Sequence, residues 1–258
     1  MEAVEKWDKA AADYQRTFKL GQSEYSAAML RFWEQEGMLE SGMRVLDIGC
    51  GVGKYGVCLA QRGCDVTLVD ISSEMLRRAS ENMAGFQSPW RVFQCDFDAV
   101  SGEEPVFSGG FDFIISTMSP AVHDRETVKK MSALSRGWCF ITRFAEWRQP
   151  DRDEILINLG LEPGPRMRNL RDDCASLIQA VSAAGYVPMV KYVDYAWRDL
   201  RTPEQMADYL MRAYLEGREG EPAREEIIRT AKKRCDEEGR LADAVSTKVA
   251  WIYWKVNG

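Results

Sequence analysis

The run Val45-Leu46-Asp47-Ile48-Gly49-Cys50-Gly51-Val52-Gly53 brings an acid and three alternate glycines to the end of an apolar segment. Leu68-Val69-Asp70, about twenty residues on, repeats the pattern of an apolar run ending in an acid. The first run predicts a buried parallel strand that turns tightly into a helix. Glycine suits such a turn because its backbone takes dihedrals closed to other residues and lets a ligand come close. The second acid stands where a doubly wound sheet holds a pair of ribose hydroxyls, and a carboxylate can accept from both. The chemistry these residues suit is the holding of a nucleoside cofactor.

Two cofactors compete. Gly51-Val52-Gly53-Lys54-Tyr55-Gly56 matches the G-x-G-x-x-G pattern of dinucleotide sites. The register opposes that match, because the strand ends at Ile48 and Gly51 is already inside the turn. Asp47 is also out of place beside a pyrophosphate and suits a cofactor that carries a cationic amine. The segment resembles the first motif of class I S-adenosylmethionine (SAM)-dependent methyltransferases, V-L-D-x-G-x-G-x-G. The resemblance covers residues 43–198 and 246–258.

That resemblance implies a set of roles at the carboxyl ends of the strands, where open α/β sheets bind ligands. Gly49, Cys50, Gly51 and Gly53 would approach the methionine part of SAM, and Asp47 would orient the turn or the ligand amine. Asp70 would accept both ribose hydroxyls; a helix-capping acid is its other reading. Ile71 and Met75 would pack on the adenine. Asp96 would accept the adenine amino group and the Phe97 backbone would donate to the ring, with an exposed loop acid as the alternative for Asp96. Ser116 and Thr117 would offer backbone contacts. In the following loop, methyltransferases acting on adenine bases or glutamine carry an acid or amide before Pro-Pro and an aromatic. This chain has Ser119-Pro120-Ala121, a departure that argues against both acceptors.

Three further residues are candidates for the acceptor side. His123, the only histidine, suits the removal of a proton near neutral pH, or it is a loop histidine bonded to backbone. Arg143 follows Thr142 at the end of the fifth strand, and its fork would suit a carboxylate or phosphate. Tyr14 belongs to Trp7-Asp8-Lys9-Ala10-Ala11-Ala12-Asp13-Tyr14. This segment resembles the W-x-x-x-A-x-x-Y opening of small-molecule methyltransferases related to the quinone-biosynthesis type, where it forms a lid. An apolar helix face packed on the core is the competing reading. Arg148, Arg152, Arg166, Arg168 and Arg171 stand among Glu146, Asp151, Asp153 and Glu154, so solvated ion pairing accounts for most of them.

The elements that must position these residues follow from periodicity. Residues 1–42 read as two helices separated by Gly21. Strands are expected at 43–48, 65–69, 90–95, 110–116, 138–144, 187–196 and 247–256, with helices at 53–62, 72–84, 124–136 and 170–184. Ser72 and Asp124 are expected helix caps. Alternating strands and helices give an α/β, doubly wound, seven-stranded Rossmann-like sheet. In the resembled family the last strand is antiparallel and lies between the fifth and sixth. The domains expected are an N-terminal helical lid at 1–42, a SAM-binding core at 43–198 and 246–258, and a helical cap at 199–245, its two helices joined through Gly217 and Gly220. The insertion 146–169 stays unexplained by the resemblance.

Composition sets outer limits. A chain of 258 residues with 45% apolar content can bury an ample core. A net charge of -6 argues against a general nucleic-acid binder. The seven cysteines form no C-x-x-C pair, which opposes a disulfide framework or structural zinc, and no metal is expected. With no long apolar run and a charged opening, a cytoplasmic protein without a membrane partner is expected. The reading is a methyltransferase moving a methyl group from SAM to a small-molecule acceptor. An RNA or protein methyltransferase and a SAM-binding protein without transferase activity are the alternatives.

Overall fold

The computed structural model describes residues 2–19, 24–161, 170–214 and 221–256. Gly21, Arg166, Arg168, Gly217 and Gly220 lie outside the described residues. Seven strands form one sheet in the order β3-β2-β1-β4-β5-β7-β6. They are β1 (Arg44–Ile48), β2 (Asp65–Asp70), β3 (Trp90–Gln94), β4 (Phe111–Thr117), β5 (Ser135–Arg148), β6 (Met189–Arg201) and β7 (Leu241–Lys255). β1 lies parallel to β2 and β4, β2 to β3, and β4 to β5. The register aligns their carboxyl ends: Ile48 faces Val69, Asp70 faces Gln94, and Thr117 faces Thr142. The residues expected at the site are thereby brought to one rim.

The last strand lies where expected, between the fifth and sixth. Its contacts run in reverse order along its neighbours. Thr247 Oγ1 donates to Tyr195 O, Lys248 pairs with Asp194, and the Lys191 ammonium lies over the Trp251 ring. On the other side Val256 N–H donates to Gly137 O, and Gln149 Nε2 donates to Asp243. Rising numbers on β7 meet falling numbers on both neighbours, so β7 is antiparallel.

Each helix obeys its own sequence signals. Ser72 caps α4 (Ser73–Met83) by accepting from the Met75 N–H at 3.1 Å. Asp124 caps α5 (Arg125–Leu134) in a reciprocal pair with Thr127, and burial of Val128, Met131 and Leu134 gives its inner face. α3 (Lys54–Ala60) begins at Gly53.

The chain divides into two compact units. The first comprises residues 1–143, 175–191 and 250–258, the second 144–174 and 192–249. The second unit therefore draws on both segments that fall outside the core pattern, 146–169 and 199–245. Its apolar core joins Ile155 and Leu156 of α6 (Pro150–Asn158) to Met206 and Leu210 of α8 (Pro203–Tyr214) and to Ile227 of α9 (Glu221–Lys232). β5, β6 and β7 all run longer than expected and pass from one unit into the other. The added half of β7 alternates buried and half-exposed residues, whereas Val249–Ile252 is buried throughout. An alternating run that contains Asp243 does not look like the continuous apolar strand that follows it.

The N-terminal segment does not behave as one lid. α2 (Glu24–Gln35) is a layer of the core, with Met29, Leu30 and Trp33 essentially without solvent contact. Trp33 meets Phe113 and Phe140 edge-on at 5.2 Å, and Phe32 lies 5.0 Å from Trp251. Only α1 (Glu2–Lys19) lies beside the glycine turn, with Ala11 packed on Val52 and Met75. Trp33→Ala should cost about 3–5 kcal/mol in chemical denaturation, the range for a buried large ring. Trp33→Phe should cost less than half as much. It keeps an aromatic ring and deletes the Nε1 donor, which has no partner among the described residues.

Candidate active site

The turn after β1 is clamped to β2: Gly49 N–H and Cys50 N–H both donate to Val69 O, at 2.8 and 3.0 Å. Gly49, Gly51 and Gly53 all take positive φ, at 68°, 54° and 78°. Their surroundings separate their roles. A Cβ at Gly49 would fall 1.8 Å from Ser119 Oγ, and one at Gly53 would fall 3.1 Å from the Ala79 Cβ. Gly49 therefore admits the loop after β4, and Gly53 admits α4. At Gly51 the nearest atom is Met75 Sδ at 3.9 Å. Of the three, Gly51 has the most open surroundings.

Asp70 ends β2 and organises what surrounds it. One carboxylate oxygen accepts from Gly51 N–H and the other from Ser72 N–H, each at 2.9 Å. Each oxygen keeps a further lone pair. Burial raises the pKa of Asp70, and these backbone donors pull against that rise. Asp70 thus holds the N–H of the residue that caps α4 and keeps acceptor capacity on both oxygens. Ile71 follows at the rim, its carbonyl accepting from Gln94 Nε2, and Met75 is buried in the first turn of α4.

Asp47 is the outlier. It is 1% exposed, and neither carboxylate oxygen has a hydrogen-bond partner among the described residues. Burial, reinforced by the nearby Asp70, pushes its pKa up to about 8. A buried acid without a partner is costly, and a cationic group is the partner it fits. Cys50 and Cys95 cannot supply one. Burial pushes both thiols up, Cys95 to about 12, so both stay protonated near neutral pH. Among the described residues no cluster could hold a metal ion.

The remaining wall comes from β4 and β5. Ser116 is fully buried and its Oγ donates to Ile48 O at 3.1 Å, so its side chain ties β4 to β1. Beyond Thr117, Met118 has φ 51°, the one non-glycine residue in that region among those described. Its N–H is shared between Thr142 Oγ1 and Thr142 O. Strain of this kind persists only where the surroundings enforce it and gathers at functional sites. Arg143 donates to Thr142 O at 2.8 Å and to Val122 O. Those bonds brace the 118–124 loop, so the guanidinium is turned to main-chain carbonyls. His123 N–H donates to Thr127 Oγ1; its imidazole is half exposed, with Nε2 4.0 Å from Asp124 Oδ2.

The other candidates are more peripheral. Asp96 is exposed and accepts from Asp98 N–H, while Phe97 is buried under the Lys130 ammonium. Tyr14 is half exposed on α1, edge-on to Trp7. Arg148 and Arg171 pair with Glu146, and Arg152 with Asp153, as solvated ion pairing predicts for the first two; Arg152 itself is buried. A cleft in the second unit lined by Ala145, Glu146, Arg171, Cys174, Tyr192 and Lys248 includes none of the candidates. Sequence reasoning missed Asp8 and the close approach of Ser119 to Gly49, whose partners are remote in the chain.

A doubly wound sheet with an acid awaiting a cation, a second acid offering paired acceptors, and one glycine face left open defines a nucleoside-cofactor domain. The residues present fit SAM: Asp47 suits its charged end and Asp70 its ribose. Residues 45–136 match the family described as methyltransferase domain. A putative methyltransferase YqeM of Bacillus subtilis is 35% identical over 83 residues, 32% of this chain and 31% of that protein. A ubiquinone biosynthesis O-methyltransferase of Bordetella avium is 34% identical over 119 residues, 43% of this chain and 46% of that one. Ribosomal RNA methyltransferases also match. The matches thus span half or less of these relatives' length. Magnesium protoporphyrin IX methyltransferase from Synechocystis PCC 6803 shares the fold, with a TM-score of 0.54 at 15% identity over 97% of both chains. Residues 45–136 carry the likeness to methyltransferase domains, and the sheet shares the fold of such structures.

Two measurements follow. Asp70→Ala should weaken binding of S-adenosylhomocysteine by about 1–3 kcal/mol in calorimetry, the cost of unpaired polar groups. Because Asp47 has a pKa of about 8, it is protonated at pH 7 and should ionise when a cationic amine arrives. Binding should therefore release protons, seen as a dependence of the binding heat on buffer. The same shift sets stability. The folded domain holds a proton that the unfolded chain gives up, so stability falls as pH rises from about 4 to 8. Asp47→Asn should flatten that fall and abolish the proton release.

Proposed function

We propose that the protein transfers a methyl group from SAM to a small-molecule acceptor. The observation that carries the reading is the nearness of Asp47, buried without a hydrogen-bond partner among the described residues, to Asp70, whose oxygens are aligned by two backbone donors. SAM supplies an activated methyl on a sulfonium, so in-line transfer asks the protein chiefly to align the acceptor and exclude water. The braced Met118–Asp124 loop, Thr142 and Arg143 supply that rigidity. α1 covers the glycine turn and takes the lid role inferred for Tyr14. The net charge of -6 supports a small acceptor over RNA.

The test supplies isotopically labelled SAM together with a small-molecule extract or total RNA. Label is expected in the small-molecule fraction alone; label in RNA overturns the acceptor assignment. His123 is the proposed base. His123→Ala should lower turnover by about a hundredfold and spare S-adenosylhomocysteine affinity. An unchanged rate assigns the reaction to alignment of an acceptor that arrives already nucleophilic.

A further inference from the structure

The first turn of α4 is held from outside by a residue that no motif points to. Asp8, on α1, accepts from Ser72 Oγ at 2.5 Å and from Glu74 N–H at 3.2 Å through the same oxygen. Ser72 Oγ meanwhile accepts from Met75 N–H, and Ser72 N–H donates to Asp70. Asp8, Ser72 and Asp70 thus form a chain of three groups, each fixing the next. It ends on the carboxylate whose other oxygen receives Gly51 N–H.

α1 is fastened a second time one helical stretch away. Gln15 and Asn82 exchange side-chain bonds at 2.9 Å in each direction, and Asn82 Nδ2 also donates to Val52 O in the glycine turn. With Ala11 seated on Val52 and Met75 between these points, the register of α1 on α4 is set. Asp8 has no freedom to slide off Ser72. The acid also faces the end of a helix where negative charge is favoured.

We propose that Asp8 is a positioning residue for the cofactor: through Ser72 it holds the Asp70 carboxylate in the attitude that receives the ribose hydroxyls. This rests on the assignment of Asp70 to the ribose. Removing Asp8 frees the Ser72 hydroxyl to turn and loosens the backbone N–H that aims one Asp70 oxygen. The cofactor then has to order that carboxylate itself. The charge of Asp8 also opposes ionisation of Asp70, so geometry and charge act in opposite directions and a neutral isostere separates them.

Binding of S-adenosylhomocysteine is compared with binding of an analogue whose ribose lacks both hydroxyls. Asp8→Ala should weaken the first about tenfold and leave the second unchanged. Asp8→Asn keeps an acceptor oxygen for both bonds and should stay within about threefold of the native affinity. Ser72→Ala keeps the main chain and cuts the same link, so it should reproduce the selective loss, and the double substitution should lose no more than either single one. Equal weakening of both ligands would make Asp8 a general prop for α4 and overturn the proposal, as would no weakening of either. Asp70→Ala separates the two levels. If it leaves affinity unchanged, the ribose assignment itself fails; if it weakens binding while Asp8→Ala does not, only the positioning role is lost.

Discussion

Everything at the rim of the sheet hangs on the Asp70 carboxylate bridging two backbone amides. One belongs to the glycine turn after β1 and the other to the residue that caps α4. The end of β2, the glycine turn and the cap of α4 are thereby locked at one point, and each is then tied onward. The turn is bonded to Val69, α4 is packed on Gly53 through Ala79, and α1 is fastened to the cap of α4. A shift in any one would misdirect the carboxylate that the other two hold.

Asp47 shows the opposite principle. Among the described residues nothing satisfies it, although the strand around it is buried and regular. A core designed for stability alone would place an apolar side chain there. Its retention of an acid concentrates an unfavourable charge where a cationic ligand relieves it, and a protonated carboxyl is the resting compromise. Met118 is a second local sacrifice on the same rim, held in a left-handed conformation by Thr142.

Much of this was legible in the sequence. The strand–turn–helix order, the helix caps at Ser72 and Asp124, and the interior place of the last strand follow from apolar runs, cap residues and a motif resemblance. The separate roles of the glycines were not legible, because Gly49 is required by Ser119 and Gly53 by Ala79, neighbours only in space. Periodicity gave α2 an apolar face without saying that it packs on Phe113 and Phe140 and not over a ligand. Arg143 reads as an anion-binding residue by type; its guanidinium also donates to the carbonyls of Thr142 and Val122, which no side-chain pattern records. The second unit was divided in two because its core joins segments on either side of α7 (Leu170–Ala183) and β6.

The interior position of β7 has a bearing on how the chain is made. The last strand in sequence is not an edge but the strip between β5 and β6, so during synthesis those two strands emerge with no hydrogen-bonded partner between them. The sheet from β3 to β5 can close early from near-neighbour pairings, while β6 must wait until residues 241–255 have left the ribosome. The waiting interval leaves the β5 edge and an aromatic face around Phe140 open to wrong partners. The completion of the sheet thus waits on β7, although the candidate cofactor residues, Asp47 to Thr117, all precede β5.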